Sequence, residues 1–377
     1  MIAGFLSSRT NGSSVGHFPW ASVLLLLSGL MLGACHPASE PVSAPPGSDT
    51  ESQIAFFRAK IAETDRHYPS HALLAETLLR RSRETGDHTL LVEARKSAET
   101  SLAIQPNYTA LKTMAMICNH THRFADAIEW AGKTAEASPE GLARDSELTA
   151  ILVEAYLGLG ENEKAAAVLN DLITVGQKVD DFYAASSRGA LFKAEKKVDD
   201  AVKAFEAARQ FAAKQGANSR VVWSNVMAAG CLLDSHRAAE AEPYLKLAEA
   251  MDAKNSVLQI HKAEFLLASQ QPKAALAIYE DILKSSEDPE VHRRAFVIAR
   301  DLGDTNAANA HFQAAEQGFL KVVDAGEIYT LGPLAQLYCD QGKDIAKARE
   351  FAVRNLEYKR DGEAKDTLRC VEGRSGG

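Results

Sequence analysis

The sequence predicts an all-α solenoid of about eight stacked helix pairs, and three observations support this fold. An alanine recurs along the chain at intervals of 33 to 40 residues. An apolar or small residue follows each alanine after four positions, and a third position three residues later completes an i, i+4, i+7 helix stripe. The composition, 46% apolar but only 7% aromatic, suits a long helical array and argues against a strand-rich fold. The recurring alanines are Ala94, Ala127, Ala165, Ala201, Ala241, Ala275, Ala308 and Ala348.

The alanine column has a direct packing explanation. Two antiparallel helices that are joined by a short turn approach closely only where the side chains at their crossing are small. A larger residue one turn later then fills the adjacent space. Because a single pair cannot bury its apolar face alone, consecutive pairs must stack into an array.

The repeat resembles the tetratricopeptide repeat, and two copies carry this resemblance most clearly. Residues 201–208 and 275–282 follow the pattern A-x-x-x-aromatic-x-x-small or apolar after a turn. The resemblance covers residues 68–361. It implies a right-handed superhelical array in which the first helix of each pair lines a concave groove, and in which peptide ligands bind along that groove.

Residues 1–34 are predicted to be a lipoprotein signal peptide. The apolar run from Trp20 to Leu32 has thirteen residues, which is shorter than the roughly 20 residues that span a bilayer. Small residues then precede Cys35, and this arrangement resembles the bacterial lipobox, in which the cysteine is lipidated and becomes the mature N-terminus. The alternative is an ordinary secretory peptide with an incidental cysteine.

Residues 35–49 are predicted to form a disordered tether. Four prolines lie there among serine, alanine and glycine, and no apolar period allows a core. The residue after Cys35 is His36 rather than aspartate, which in Gram-negative lipoproteins indicates the outer membrane. We therefore expect a lipid-anchored protein of the cell envelope, on the periplasmic face of the outer membrane if the organism is Gram-negative.

The folded region is predicted to begin with a capping helix, residues 50–67, after a capping box that starts at Ser48. Residues 362–377 should form a short capping helix, 363–370, and a disordered tail from residue 372. Pro243 is expected near the start of a second helix, where a missing N–H is tolerated. The eight pairs between the caps are expected at residues 70–104, 108–137, 146–175, 182–214, 222–252, 256–284, from 288 with a turn at 303, and 327–358.

Charge and motifs argue against nucleic acid binding and against catalysis. The formal net charge is -8, and an acidic chain without a basic face does not offset phosphate repulsion, so we expect no nucleic acid partner. The chain contains no G-x-S-x-G, H-E-x-x-H or P-loop pattern, which are the common signatures of hydrolases and nucleotide-binding enzymes. We therefore expect no enzymatic activity, no cofactor and no metal.

Two constellations leave alternatives open. Cys118, His120 and His122 could supply three metal ligands, but a core cysteine beside two surface histidines is the favoured interpretation. Glu147 and Glu154 lie two helix turns apart, about 10 Å along the axis, which resembles the wide carboxylate pair of an inverting glycoside hydrolase. Solvated glutamates are the commoner explanation, so a hydrolase stays a remote alternative.

A basic cluster at residues 80–83 is also open to two interpretations. Arg80, Arg81 and Arg83 are interpreted as a solvated helix end, and a docking spot for an anionic group is the alternative.

Four cysteines follow Cys35. Cys118, Cys231 and Cys339 belong to pairs two, five and eight, and stacked helices lie about 8–10 Å apart, so these three cannot reach one another. Only Cys339 and Cys370 could meet. An oxidising envelope permits a disulfide between them, but two buried free thiols are the favoured interpretation.

The groove is the remaining candidate site. The lysine and asparagine pairing of the carboxylate-binding members of the resembled family is not reproduced, so a C-terminal carboxylate ligand is not expected. Trp223, with Val226 three residues later, is the candidate aromatic anchor, and ordinary packing between repeats is the alternative. The candidate groove residues are Lys112, Met116, Asn119, Glu147, Glu154, Tyr183, Lys193, Trp223, Val226, Ile260, Glu264, Arg293 and Arg300.

These features together predict a non-enzymatic, membrane-tethered scaffold of the bacterial cell envelope. Its partners would be proteins or peptides of unknown identity that bind in the concave groove. An envelope assembly factor or chaperone-like adaptor is the alternative, and it differs from the scaffold in the lifetime of its complexes.

Overall fold

The computed structural model describes residues 42–85, 87–138, 145–175 and 181–375, and these residues contain eighteen α-helices and no strand. The described residues belong to one compact unit. The predicted all-α solenoid is confirmed. The predicted signal peptide and its cysteine, Cys35, lie outside the described residues.

A capping helix, eight helix pairs and a second capping helix follow one another along the chain. The first cap is α1 (Thr50–Glu63), which ends four residues earlier than predicted, and the second cap is α18 (Gly362–Ser375). The pairs are α2 (Tyr68–Thr85) with α3 (Leu90–Ile104), α4 (Tyr108–His120) with α5 (Phe124–Ala137), α6 (Ser146–Gly158) with α7 (Asn162–Val175), α8 (Phe182–Ala194) with α9 (Val198–Lys214), α10 (Asn218–Asp234) with α11 (Ala238–Met251), α12 (Ser256–Ala268) with α13 (Pro272–Ile282), α14 (Pro289–Asp301) with α15 (Thr305–Asp324), and α16 (Leu331–Gln341) with α17 (Ile345–Tyr358).

The alanine column lies at the helix crossings, as its spacing predicts. All eight alanines are buried, each near the start of the second helix of its pair. The facing residue of the first helix is small for the same reason: a Cβ on Gly189 would lie 2.7 Å from the ring of Phe205. Small residues on one helix therefore make room for a large side chain on the other.

The turn within a pair has a repeated backbone conformation. Seven of these turns contain a residue with a φ between 58° and 81°, which is the left-handed region. In pairs two to seven this residue precedes the column alanine by five positions, and in pair eight, where the turn has one extra residue, by six. Such a residue ends a helix by satisfying its last carbonyl groups. The seven residues are His122, Gly160, Lys196, His236, Gln270, Gly303 and Gly342.

Aspartate or asparagine starts most of the first helices. Five of them follow a residue whose side chain accepts a hydrogen bond from a backbone N–H two or three positions later, which is the N-cap arrangement. The five caps are Asn107, Asp145, Asp181, Asn255 and Asp288. The predicted capping box at Ser48 is wrong, because Asp49 rather than Ser48 caps α1, and the Ser48 hydroxyl donates to the Pro45 carbonyl.

Three further local predictions are wrong. Pro243 is the sixth residue of α11 and lies inside the helix, where it removes the hydrogen bond to the carbonyl of Ala239. The tail that was expected to be disordered is helical as far as Ser375. Residues 42–49 are not a free tether, because Val42 and Ala44 pack against the first hydrophobic cluster.

Cys339 and Cys370 form a disulfide that links α16 to α18 across a Cα–Cα distance of 6.4 Å. The favoured interpretation of two free thiols is therefore wrong. Cys118 and Cys231 are buried and free, as the spacing of the repeats predicts.

The array closes on itself, which the sequence analysis did not predict. Arg95 of pair one forms an ion pair with Glu327, which precedes pair eight, at 3.1 Å. The Arg123 guanidinium donates to the Gly326 carbonyl at 3.0 Å. We call this contact region the seam. It joins residues 87–95, 120–123 and 158–160 to residues 288, 326–329 and 359–363.

Backbone contacts in the seam are as close as those of the side chains. The Arg360 N–H donates to the Gly158 carbonyl at 2.7 Å, and a Cβ on Gly160 would lie 2.6 Å from the Arg360 carbonyl oxygen. The turns of pairs one to three thus lie against the loops that precede pairs seven and eight and the final cap.

Candidate binding surface in the lumen

We call the surface that the first helices of the pairs form the lumen face, and the space that it borders the lumen. Arg83 on α2 affects the pKa of Glu154 on α6 and that of Tyr183 on α8. Lys193 on α8 is coupled in the same way to Glu264 on α12. That the first helices line the concave side stays a prediction from the resemblance.

A polar network lies between the first helices of pairs two to five. The Lys112 ammonium lies 2.6 Å from a Glu147 carboxylate oxygen and 3.2 Å from Asp145. The Tyr183 hydroxyl donates to Glu147 at 2.7 Å and accepts from Arg220 at 2.7 Å. Burial and the Glu147 carboxylate raise the pKa of Tyr183 above its usual range. The structure thus brings the candidate groove residues Lys112, Glu147 and Tyr183 together, and they connect neighbouring repeats.

A second network joins pairs six to eight. Arg293 pairs with Glu290 at 2.7 Å and with Asp340 at 3.1 Å. Arg294 pairs with Glu290 at 2.9 Å and with Glu264. The candidate residues Glu264 and Arg293 therefore have partners on adjacent first helices.

Three other candidates also contact their own chain. Lys193 forms an ion pair with Asp234 at 2.9 Å, and Arg300 pairs with Asp301 at 2.8 Å. Met116 is half-buried between two hydrophobic clusters.

Glu154 and Asn119 lie together in the lumen and lack a complete set of partners. A Glu154 carboxylate oxygen accepts a hydrogen bond from the Asn119 amide nitrogen at 2.7 Å. Asn119 is 5% exposed, and its amide oxygen is buried without a hydrogen-bond partner. The Glu154 residue is exposed. Partial loss of hydration raises the pKa of its carboxyl, whereas Arg83 and the Asn119 hydrogen bond lower it by a smaller amount.

The first helices of pairs five and six carry exposed apolar side chains, among them Trp223 and Val257. Trp223 is 38% exposed, and its ring makes edge contacts with Phe182 and Phe205 at 5.7 and 5.8 Å. Val257, on the next first helix, is also 38% exposed. Trp223 thus combines packing between repeats with an accessible edge, and both interpretations of this residue apply.

Two apolar candidates do not line the lumen as expected. Val226 is fully buried against Leu245 and Leu258, so its assignment to the groove is wrong. The physical reason is that the face of α10 that carries Val226 packs into a cluster with α11 and α12. Ile260 is half-buried against the cluster that surrounds Tyr279.

The structure argues against both alternative sites, the candidate metal ligands and the candidate hydrolase pair. His120 and His122 are not surface histidines, because they pack into the seam, where burial lowers their pKa values to about 3 and about 4. Among residues 42–375, as far as they are described, no group of three or more potential ligands could hold a metal ion. Glu147, one member of the candidate hydrolase pair, forms an ion pair with Lys112.

The basic cluster is divided among three places. Arg80 donates to Gln53, and Arg81 pairs with Glu51 at 3.5 Å. Arg83 faces the lumen and forms no hydrogen bond or ion pair within the described part of the chain. Arg80 and Arg83 are exposed near the end of α2, which agrees with the interpretation of a solvated helix end, and Arg81 is half-buried.

Sequence reasoning missed the seam residues entirely. His88 stacks near Tyr329, with ring centroids 5.4 Å apart, and Arg95 pairs with a residue 232 positions away. No local pattern marks these residues, since their contacts depend on the accumulated rotation of six or more repeats.

Residues 232–294 match the family model described as Tetratricopeptide repeat. This segment extends from the end of α10 to the start of α14. No curated protein matches the sequence. No helix in the described ranges is both long and apolar enough to cross a membrane.

Several solved structures are similar at low identity. A tetratricopeptide repeat protein from Parabacteroides merdae is 15% identical, with 79% of this chain and 98% of that chain covered and a TM-score of 0.40. PilF of Pseudomonas aeruginosa is 12% identical, with 59% and 92% covered and a TM-score of 0.41. The human IFIT1 dimer with PPP-AAAA is 16% identical, with 87% and 76% covered and a TM-score of 0.44. These values carry no argument about function. The family match, together with the helix-pair architecture, identifies this chain as one that contains tetratricopeptide repeats.

Proposed function

We propose that the protein is a non-enzymatic scaffold that binds a segment of a protein partner in its lumen. The observation that carries this proposal is the set of lumen side chains that remain accessible. Trp223 and Val257 expose apolar surface there, whereas most lumen charges already pair with one another. An accessible aromatic edge beside exposed aliphatic surface is the composition of a protein-binding hot spot.

The expected ligand is an extended or helical segment rather than a folded domain. The resemblance, in which peptide ligands bind along the groove, supports this expectation. Apolar contact would supply most of the binding free energy, at about 25 cal/mol per Å² of buried apolar surface.

The second part of the proposal is a lipid on Cys35 that tethers the scaffold to a membrane of the bacterial cell envelope. The lipobox-like residues before Cys35 and the short apolar run support it. Mass spectrometry of the N-terminal peptide should show a diacylglyceryl group on Cys35, and metabolic labelling with palmitate should be lost in Cys35→Ala. An unmodified Cys35, or an N-terminus created elsewhere, would contradict the tether.

Co-purification from detergent-solubilised membranes tests the binding part. Val257→Lys places a charge on the apolar face of the lumen and should remove a co-purified partner. Val92→Lys is the matched control, because Val92 is 60% exposed on the second helix α3, and it should leave the partner bound. Equal melting temperatures of the two variants establish that both are folded. A partner that survives Val257→Lys but not Val92→Lys would refute binding in the lumen.

A further inference from the structure

We infer that the seam is a pH-sensitive latch, which opens when His88, His120 and His122 are protonated. Opening separates the turns of pairs one to three from the loops before pairs seven and eight and from the final cap. This inference goes beyond the proposed function, because it concerns how the array closes and involves no partner.

The first observation is that His88 is covered from the far side of the seam. It lies in the turn of pair one, and its ring centroid is 5.4 Å from that of Tyr329, which precedes α16. The ring of His120, the last residue of α4, packs beside it with the centroids 5.2 Å apart. The contact between these rings and Tyr329 therefore exists only while the seam is closed.

His122 is covered from the far side in the same way. It lies in the turn of pair two, and Lys359 and Glu363 act on it from the end of α17 and the start of α18. The neighbouring Arg123 donates to the Gly326 carbonyl across the seam at 3.0 Å. The burial of His122 thus also depends on closure.

The second observation is that each of the three rings has one nitrogen that is closed to solvent and has no hydrogen-bond partner among the described residues. These atoms are Nδ1 of His88, Nε2 of His120 and Nδ1 of His122. Both nitrogens of a protonated histidine carry hydrogen, so protonation in the closed seam leaves a buried charge with an N–H that has no acceptor. This is unfavourable, whereas an open seam lets water accept from these atoms. Protons therefore bind more strongly to the open form.

The charges around His120 and His122 act in the same direction. The groups that act on His120 are Arg83 and the two other histidines, all of them basic. Lys359 repels a proton on His122, and it also forms an ion pair with Glu363 at 2.5 Å, which offsets the attraction of that carboxylate. The cationic neighbours thus add to the effect of burial.

His88 has acidic neighbours, Asp87 beside it and Asp288 across the seam, and both favour its charged form. Burial has the larger effect and lowers the pKa of His88. Burial likewise lowers the pKa values of His120 and His122, to about 3 and about 4. All three rings are therefore neutral in the closed seam at pH 7.

The direction of the pH effect follows from the exclusion of these protons. An exposed histidine has a pKa of about 6.5, so the open form gains protons as the pH falls below this value and the closed form does not. With pKa values of about 3 and about 4 in the closed seam, His120 and His122 each raise the ratio of open to closed protein about twentyfold between pH 7 and pH 5, or about 400-fold together. Carboxylic acids ordinarily titrate near about pH 4, so histidines dominate this window.

Hydrogen exchange of single amides in the full-length protein in detergent tests the latch. The Arg360 N–H donates to the Gly158 carbonyl across the seam at 2.7 Å, so its exchange requires opening. The control is the Gln271 N–H, which donates to the Leu266 carbonyl at 2.8 Å within the turn of pair six. After division by the intrinsic rate at each pH, protection of Arg360 should fall about 400-fold from pH 7 to pH 5, and protection of Gln271 should stay unchanged. An unchanged Arg360, or an equal fall at both amides, would overturn the latch.

His236→Asn is the matched control for His122→Asn. Both histidines have a left-handed backbone, with a φ of 59° and 58°, which asparagine tolerates. His236, however, is exposed in the turn of pair five. His122→Asn should reduce the fall in Arg360 protection about twentyfold, and His236→Asn should leave it unchanged. Equal effects of the two variants would overturn the inference. Circular dichroism at both pH values checks the fold, and if His122→Asn does not fold, the comparison of the Arg360 and Gln271 amides in the wild type decides.

Discussion

Gly160→Ala tests whether the seam is closed in solution. Gly160 has a φ of 72°, and a Cβ there would lie 2.6 Å from the Arg360 carbonyl oxygen. Alanine therefore has two costs: the left-handed backbone, about 1–2 kcal/mol for a residue with a Cβ, and displacement of the loop at Arg360. Gly216→Ala is the matched control, because its φ is 66° and nothing lies within 4 Å of the added Cβ.

The difference between the two variants measures the seam. Displacement of Arg360 breaks its 2.7 Å hydrogen bond to Gly158, which is equivalent to about 0.5–1.5 kcal/mol. It also weakens the nearby Arg95–Glu327 ion pair, whose side chains are only 22% and 13% exposed. A pair at this depth lies between the roughly 0–1 kcal/mol of exposed pairs and the 3–5 kcal/mol lost on breaking buried ones. Urea unfolding should therefore show Gly160→Ala about 1–3 kcal/mol less stable than Gly216→Ala.

Spin labels at the exposed positions Lys164 and Asp366 provide a structural readout. The distance between them should increase in Gly160→Ala and should stay unchanged in Gly216→Ala. Equal losses of stability in the two variants, with an unchanged distance in both, would refute the seam.

Three further predictions concern pH, the disulfide and the helix crossings. Burial lowers the pKa of His122 to about 4, below its unfolded value of about 6.5, so the unfolded chain binds a proton in this window that the folded protein excludes. The free energy of unfolding should therefore decrease as the pH is lowered from 6.5, by up to about 1.4 kcal/mol per pH unit from this residue. Urea titrations at several pH values measure this decrease. The Cys339–Cys370 disulfide closes a loop of 31 residues, and Cys370→Ser should cost about 3–4 kcal/mol, measured by thermal unfolding without reductant. Gly189→Ala should cost about 1–3 kcal/mol by overpacking against Phe205, and Phe205→Leu in the same chain should restore part of the loss.

Each of these predictions has a contradicting outcome. His122→Asn should remove the contribution of this residue to the pH dependence, and an unchanged slope would show that His122 is not buried neutral. If the intact mass of the oxidised protein were not lower than that of the reduced protein by two hydrogens, this would contradict the disulfide. A Gly189→Ala variant as stable as the wild type would contradict the close crossing of α8 and α9.

The sequence was sufficient to predict what repeats. The alanine of each pair and the residues four and seven positions later form one helix face, so the pairs, their order and most of their bounds followed from local spacing. Errors arose where a single repeat departs from this rule. Val226 was assigned to the groove on the standard register, but its face of α10 packs into the cluster that contains Leu245 and Leu258, and it is buried there.

The sequence could not predict contacts between distant repeats. The resemblance indicated which helix faces line the concave side, and Asn119, Glu154 and Trp223 lie there. It did not indicate that Arg293 would be occupied by Glu290 and Asp340, because ion pairing depends on side-chain rotamers of neighbouring helices. The seam depends on small rotations that add up over the whole array, and no residue pattern records their sum.

Photo-crosslinking in living cells tests the central claim, binding of a partner segment in the lumen, most directly. A photoreactive amino acid replaces Val257 on the lumen face, and in a second strain it replaces Val92 on α3. The account predicts one crosslinked partner from position 257, mapped by mass spectrometry to a single segment, and none from position 92. Crosslinks from position 92 alone, or the same partners from both positions, would contradict it.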